Sequence, residues 1–290
     1  MKQINKRTIS DRIDEYKKSP SSFITMIIVI LSAIITIGAL VSLIGYILIT
    51  GIPHLTPELF SFQYNSENVS MMPAIINTVI MIVLTLILSV PIGILSAVYL
   101  VEYAKRGNKL VKVVRITTET LQGIPSIVFG LFGFIFFVIT LKWQYSLLAG
   151  ALTLAIMVLP VIIRTTEEAL LAVPDSYREG SFGLGAGKLR TVFKIVLPSA
   201  VPGILAGVIL AIGRIVGESA ALIFTSGTAA KVPTSLFDSA RTLSVHMYAL
   251  LSEGLYTNQA HATAVVLLVV VIGINALSNF VASRFSKKRG

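Results

Sequence analysis

Cysteine is absent from this 290-residue chain, which excludes disulfides, thiolate metal sites and a cysteine nucleophile. Charge is scarce as well: Asp, Glu, Lys and Arg together make up 13% of the residues, against 54% hydrophobic ones. With a mean hydropathy of +0.84, that balance excludes an ordinary soluble domain and predicts an all-α, polytopic membrane protein. Histidine is limited to His54, His246 and His261, which share no ligand spacing and fall in segments expected at the outer surface. Neither a metal site nor a cofactor is expected from them. No Gly-x-x-x-x-Gly-Lys-Ser/Thr phosphate-binding loop is present, so the chain supplies no nucleotide chemistry of its own.

What the chain does have is apolar length. A hydrocarbon core of about 30 Å needs roughly 20 helical residues, and six runs meet or approach that: 23–50, 74–101, 124–141, 147–163, 200–224 and 262–281. The first is too long for the apolar part of a signal peptide and precedes no small-residue cleavage site, so it is expected to be retained. Trp143 and Tyr145, between the third and fourth runs, suit an interfacial belt. Basic residues set the orientation, because positively charged loops stay cytoplasmic. Twenty of the 24 lie in the amino-terminal tail, in the segments after the second and fourth runs, or in the carboxy-terminal tail. Lys142, Lys231 and Arg241 fall outside, and Arg214 lies within the membrane. Six spans with both termini cytoplasmic satisfy this partition. It also accounts for the net charge of +10 as topology and contact with membrane lipid, so no nucleic-acid partner is expected.

Arg214 and Glu218 stand out inside the fifth run. Their spacing of four predicts one face of a single membrane helix, where an uncompensated charge costs roughly 2.5–3.5 kcal/mol on insertion scales. Such residues usually pair and mark a substrate path. The alternative is an ion pair that only holds helices together. A guanidinium presents a planar fork of donors to a tetrahedral oxyanion, which makes Arg214 a candidate anion ligand. Glu218 could accept from a protonated oxyanion while disfavouring a fully deprotonated one such as sulfate. Pro91 and Gly93, then Gly123 to Pro125, then Pro198, Pro202 and Gly203 interrupt the neighbouring runs, either for packing or to aim backbone dipoles at an anion.

The cytoplasmic segment 164–198 has its own pattern. Residues 165–171 continue the fourth helix. Pro174, Asp175 and Ser176 then supply a break and a cap for a short helix starting near Tyr177, which glycines 180, 183, 185 and 187 end. Apolar helical spacing resumes at Leu189, Val192, Phe193, Val196 and Leu197.

Glu179-Gly180-Ser181, three residues, Gly185, nine residues and Ile195-Val196-Leu197-Pro198 resemble the signature loop of ABC importer permeases. Two small residues stand where that family has two alanines, which preserves close packing; Gly180 lowers helix propensity by about 1 kcal/mol. Three further stretches narrow the likeness to the phosphate-specific permeases of PstA type: residues 123–130 (GIPSIVFG), 213–220 (GRIVGESA) and 243–248 (LSVHMY). The resemblance covers about residues 77–285. It implies a type I importer fold organised as a tail (1–21), a first transmembrane helix with its outer loop (22–73), a permease core (74–285) containing the coupling loop 164–198, and a short tail (286–290).

That resemblance also implies roles. The helix at about 175–184 would be a coupling helix seated on a separate ATP-hydrolysing subunit, with Glu179 its polar anchor, Tyr177 an aromatic contact and Gly185 the sharp turn. Leu197 and Pro198 would end the lever that leads to the fifth span, and Arg214 and Glu218 would line the substrate path. The implied assembly imports inorganic phosphate using a homologous PstC-type permease, an ATP-binding subunit dimer and an extracytoplasmic phosphate-binding protein. The chain itself would be a transport subunit and not an enzyme. A permease for sulfate or molybdate would keep the loop without needing Glu218. A secondary transporter or channel would use intramembrane charge but has no reason to carry the loop.

Overall fold

The computed structural model describes residues 20–105 and 107–287. Among these all regular secondary structure is helical, with no strand. Five helices are long and apolar enough to cross a membrane, and a bent pair makes a sixth span if counted as one. The basic amino-terminal tail lies outside the described residues, as do Arg106 and residues 288–290.

Helix α1 (Pro20–Gly51) is apolar on every side, and the window that qualifies it as a span has no buried residue. A helix of this kind belongs in lipid or against another subunit. It meets the rest of the chain near its carboxy-terminal end, where Gly51 lies against the backbone of His261 and Tyr46 stacks edge-on against the His261 ring at 6.0 Å.

The core is built around α5 (Leu147–Leu171), whose span is 67% buried, against 33% or less for each of the other straight spans. Helices α2 (Met72–Val98, continued by a π-helical turn Tyr99–Tyr103) and α8 (Leu197–Gly217) pack against it. Small residues allow the approach: a Cβ on Gly93 would meet Ile162, one on Gly203 would meet Ala169, and one on Gly207 would meet Thr165. Lipid supplies no hydrophobic drive between helices, so this close backbone packing carries the association.

The third span is a bent one. Helix α3 (Lys109–Gln122) and helix α4 (Ser126–Gly133, continued by a π-helical stretch Phe134–Thr140) meet at 103° across Gly123 to Pro125. The sequence expectation placed residues 109–115 in a basic loop with the helix starting at 124. Instead Val111, Val114 and Leu121 form an apolar stripe that packs inward, so the basic segment itself folds as an amphipathic helix. It runs antiparallel to α5: Arg115 pairs with Glu167, Arg164 lies 3.6 Å from Glu119, and Gln122 donates to the Pro160 carbonyl at 3.2 Å.

A short helix α6 (Asp175–Gly183) follows α5, and then α7 (Lys188–Thr191), a π-helical turn (Val192–Val196) and α8 run on as one continuous rod, Lys188–Gly217. Pro198 therefore does not end a lever, as expected from the loop likeness; the rod passes through it. Its nitrogen has no proton to donate, so the hydrogen-bond register can change beside the π-helical turn without stranding a donor.

The fifth run of the sequence is broken as well. Helix α8 stops at Gly217, Glu218 is extended (φ −76°, ψ 125°), and a separate short helix α9 (Ala220–Thr225) begins. Helices α10 (Leu243–Glu253) and α11 (Thr257–Lys287) complete the chain.

Candidate functional site

The expectation that Arg214 and Glu218 share one helical face is not met. Glu218 lies past the end of α8, its Oε1 accepts from the Ala221 N–H at 3.0 Å, and its carbonyl accepts from Ser244 Oγ at 2.6 Å. The carboxylate thus caps the amino terminus of α9, where exposed N–H groups favour negative charge. This competing hydrogen bond, together with Gly213 and Gly217 in the preceding turn, explains why the helix ends there. The two motif segments nevertheless meet in space: α4 docks on α9 at Gly130, where a Cβ would fall 2.7 Å from the Ala221 Cα.

Arg214 sits in the last turn of α8, a favourable place for a cation, and is half-buried. No acidic side chain lies within ion-pair distance of it among the described residues. With Gly213, Leu210, Val161 and Asn275 it lines a groove of about 500 Å³. Leu210 is 62% exposed, so the groove lies on the surface of this chain rather than inside it.

Beyond the end of α5, α6 begins at Asp175, two residues before the expected Tyr177, with Pro174 as its cap residue. It presents Tyr177, Glu179, Phe182 and Leu184 outward; Leu184 is 92% exposed. Gly185 turns the chain at φ +83°, a conformation suited to glycine. The inner face is fixed by the Ser181 and Thr191 hydroxyls at 2.8 Å and by Arg178, which the sequence reading passed over.

Residues 89–290 match the family described as binding-protein-dependent transport system inner membrane component. The chain belongs to that family. Among its relatives is a probable ABC transporter permease protein, YqgI, of Bacillus subtilis, 34% identical over 281 residues that cover 89% of this chain and 94% of the relative. The phosphate transport system permease protein PstA 1 of Mycobacterium tuberculosis is 38% identical over 222 residues, covering 73% of this chain and 71% of that one. Among solved structures, a subunit of a bacterial alginate ABC transporter superposes with a TM-score of 0.70 at 16% identity, covering 94% of this chain and 98% of its own. A chain of the MetNI methionine ABC transporter gives 0.58 at 22%, covering 73% and 93%. At these identities the two structures establish the importer-permease fold alone.

This permease is a multi-pass membrane subunit and not an enzyme; ATP hydrolysis belongs to a separate subunit of such transporters. Arg178 ties the short helix α6 to the bundle. Nη2 reaches Glu102 Oε1 at 2.7 Å and the Leu170 carbonyl at 3.0 Å, while Nη1 reaches the Val173 carbonyl at 2.8 Å and Asp175 at 3.1 Å. The Glu102 side chain is 9% exposed, so α6, the end of α2 and the end of α5 are tied through a largely desolvated ion pair. The only sequence signal was the Asp175–Arg178 spacing of three; Glu102 is 76 residues away.

Proposed function

We propose that this permease is the PstA-type membrane subunit of an ATP-driven importer of inorganic phosphate. It pairs with a homologous PstC-type permease, an ATP-binding subunit dimer and an extracytoplasmic phosphate-binding protein. The relatives named for phosphate transport support the substrate. The observation that carries the mechanism is an Arg214 with no counter-ion among the described residues, facing a groove that remains open on this subunit's surface. A second permease closing that groove would leave the guanidinium in low dielectric, where its donors bind an oxyanion far more strongly than in water. Glu218 contributes by capping α9 and keeps Oε2 free to accept from a P–OH group.

Both termini lie in the cytoplasm, and the units 1–21, 22–73, 74–285 and 286–290 are tail, first helix with outer loop, permease core and tail. In the coupling loop 164–198, Tyr177 and Glu179 contact the ATPase subunit, Gly185 makes the turn, and Leu197 and Pro198 transmit movement along the rod into α8 and thus to Arg214.

The test is ATP-dependent uptake of radiolabelled phosphate by the reconstituted transporter. Phosphate uptake is expected to resist excess sulfate, to vanish in Arg214→Ala with assembly intact, and to lose its sulfate resistance in Glu218→Gln. Sulfate competition against the unmodified transporter would replace phosphate specificity with a broader oxyanion permease, and normal uptake by Arg214→Ala would remove Arg214 from the path.

A further inference from the structure

The motif at residues 243–248 is not used by the groove around Arg214. It places His246 beneath the first outer loop, next to Tyr64, and there lies a second cation with no counter-ion among the described residues. Arg241 is 4% exposed, yet its Nε and Nη2 are buried with no hydrogen-bond partner. His246 is fully buried; the Val69 backbone lies close enough to favour its protonated ring, but no hydrogen bond of ordinary length reaches either ring nitrogen. Asn77, also fully buried, spends its amide donor on the Lys231 and Arg241 carbonyls at 2.9 and 3.1 Å, which leaves Oδ1 without a donor. Buried polar groups in native proteins are almost always satisfied, so three unsatisfied side chains in one locality indicate a missing occupant.

The cover is Tyr64. Its ring lies 4.7 Å from the Arg241 guanidinium carbon and 6.3 Å, edge-on, from the His246 ring. The loop that carries it includes Val69, a β-branched residue at φ +44° and fully buried, a conformation such residues rarely adopt. Tyr256 Oη fastens the same loop through the Ser66 carbonyl at 3.0 Å. A chain of hydroxyls runs from this cluster toward the other site: Thr242 to Ser244 at 3.1 Å, and Ser244 to the Glu218 carbonyl at 2.6 Å.

The chemistry of the free atoms narrows the occupant. Arg241 offers donors only, Asn77 Oδ1 an acceptor only, and a neutral imidazole one of each. Burial, and secondarily the Arg241 charge, push the His246 pKa down to about 3, so the ring is neutral at physiological pH. Sulfate can satisfy the donors but has no proton for the acceptors. A hydrogen phosphate has both.

We infer that Arg241, His246 and Asn77 form a second, extracytoplasmic site for a protonated phosphate-type oxyanion, covered here by Tyr64 and placed ahead of Arg214 on the inward path. This rests on the phosphate-import reading above. When the Tyr64 loop lifts, the anion replaces the ring over the guanidinium. The hydroxyl chain then connects occupancy to the Glu218 turn.

The absence of native cysteine makes the test direct. In the reconstituted transporter, Tyr64→Cys places a unique thiol on this chain beside Arg241, and its alkylation is followed by the mass of this subunit. Inorganic phosphate is expected to slow alkylation by about an order of magnitude at tenfold its dissociation constant, sulfate is expected not to, and Arg241→Gln in the same background is expected to abolish the protection. No slowing by phosphate overturns the site, and protection that survives Arg241→Gln overturns its placement. Equal protection by sulfate overturns the donor–acceptor assignment. Should the double variant not assemble, phosphate against sulfate on Tyr64→Cys alone still decides. Sulfate-resistant uptake by the unmodified transporter, measured in the same vesicles, separates failure of this site from failure of the phosphate reading.

Discussion

Two buried cationic side chains in this permease meet opposite fates. Arg178 satisfies four acceptors, whereas Arg241 satisfies none with its Nε and Nη2. Because Arg178 compensates Glu102 in a site shielded from water, Arg178→Ala is expected to destabilise by about 3–5 kcal/mol, most of it from the carboxylate left behind. The double replacement Arg178→Met with Glu102→Met is expected to recover most of that loss, and thermal unfolding of the purified permease in a double-mutant cycle measures it. The exposed Arg164–Glu168 pair at 3.1 Å is expected to contribute only about 0.3–0.5 kcal/mol. His246 yields a prediction in pH. Its folded pKa, about 3, lies below the ordinary 6.5, so the unfolded chain binds the extra proton between those values. Stability is therefore full above pH 6.5 and falls as pH drops, by about 1.4 kcal/mol per unit. A melting series from pH 7.5 to 5 is expected to show this decline in the unmodified permease and a flatter one in His246→Gln. Arg178 could not be recognised beforehand, because its decisive partner is remote in sequence, whereas the Glu179 to Pro198 spacing is local and could.

At the level of elements, hydropathy located every apolar run because spanning length is a property of composition alone. It missed the two places where the backbone changes direction. At Glu218 a side-chain oxygen captures the amino terminus of the next helix, and a window average over residues 200–224 cannot register one hydrogen bond. In α3, charge density suggested a loop, but the apolar stripe beneath it decided for a helix. The Glu218 turn adjoins the place where α4 and α9 come together, and Gly130 is the contact that lets them. Gly130→Val is expected to push α4 off the Ala221 backbone, lowering stability by about 1–3 kcal/mol and, by displacing the Glu218 turn, slowing uptake. Gly38→Ala in α1, with nothing within 4 Å of the new methyl group, is expected to be neutral or to stabilise by about 0.5–1 kcal/mol. Melting temperatures of the two variants, measured side by side, check the opposite signs.

On the scale of the whole molecule, this permease exposes apolar surface of two kinds. The flanks of α1 and its neighbours suit lipid, but the exposed Tyr177, Phe182 and Leu184 lie outside the apolar spans, on the segment between the Leu147–Leu171 and Lys188–Gly217 spans. The proposed ATP-binding subunit would cover them, and the Arg178 contacts hold α6 in place for that docking. The spacing in the sequence pointed to a short helix here, which the structure has; its tie to Glu102 was not legible, because that contact is remote in sequence. Replacing Leu184 with cysteine tests both orientation and docking, since the chain has no other thiol. A membrane-impermeant maleimide is expected to label Leu184→Cys in inverted vesicles and not in right-side-out ones, with Phe62→Cys on the first outer loop behaving in reverse. Adding the ATP-binding subunit is expected to protect Cys at 184 and leave Cys at 62 unchanged. Labelling of the 184 variant from the outer side would invert the topology, and labelling unaffected by the ATPase would detach α6 from coupling. Leu184→Asp carries the argument to transport. The side chain packs against nothing in this chain, so the melting temperature of the isolated permease is expected to hold while co-purification of the ATPase and phosphate uptake fall together.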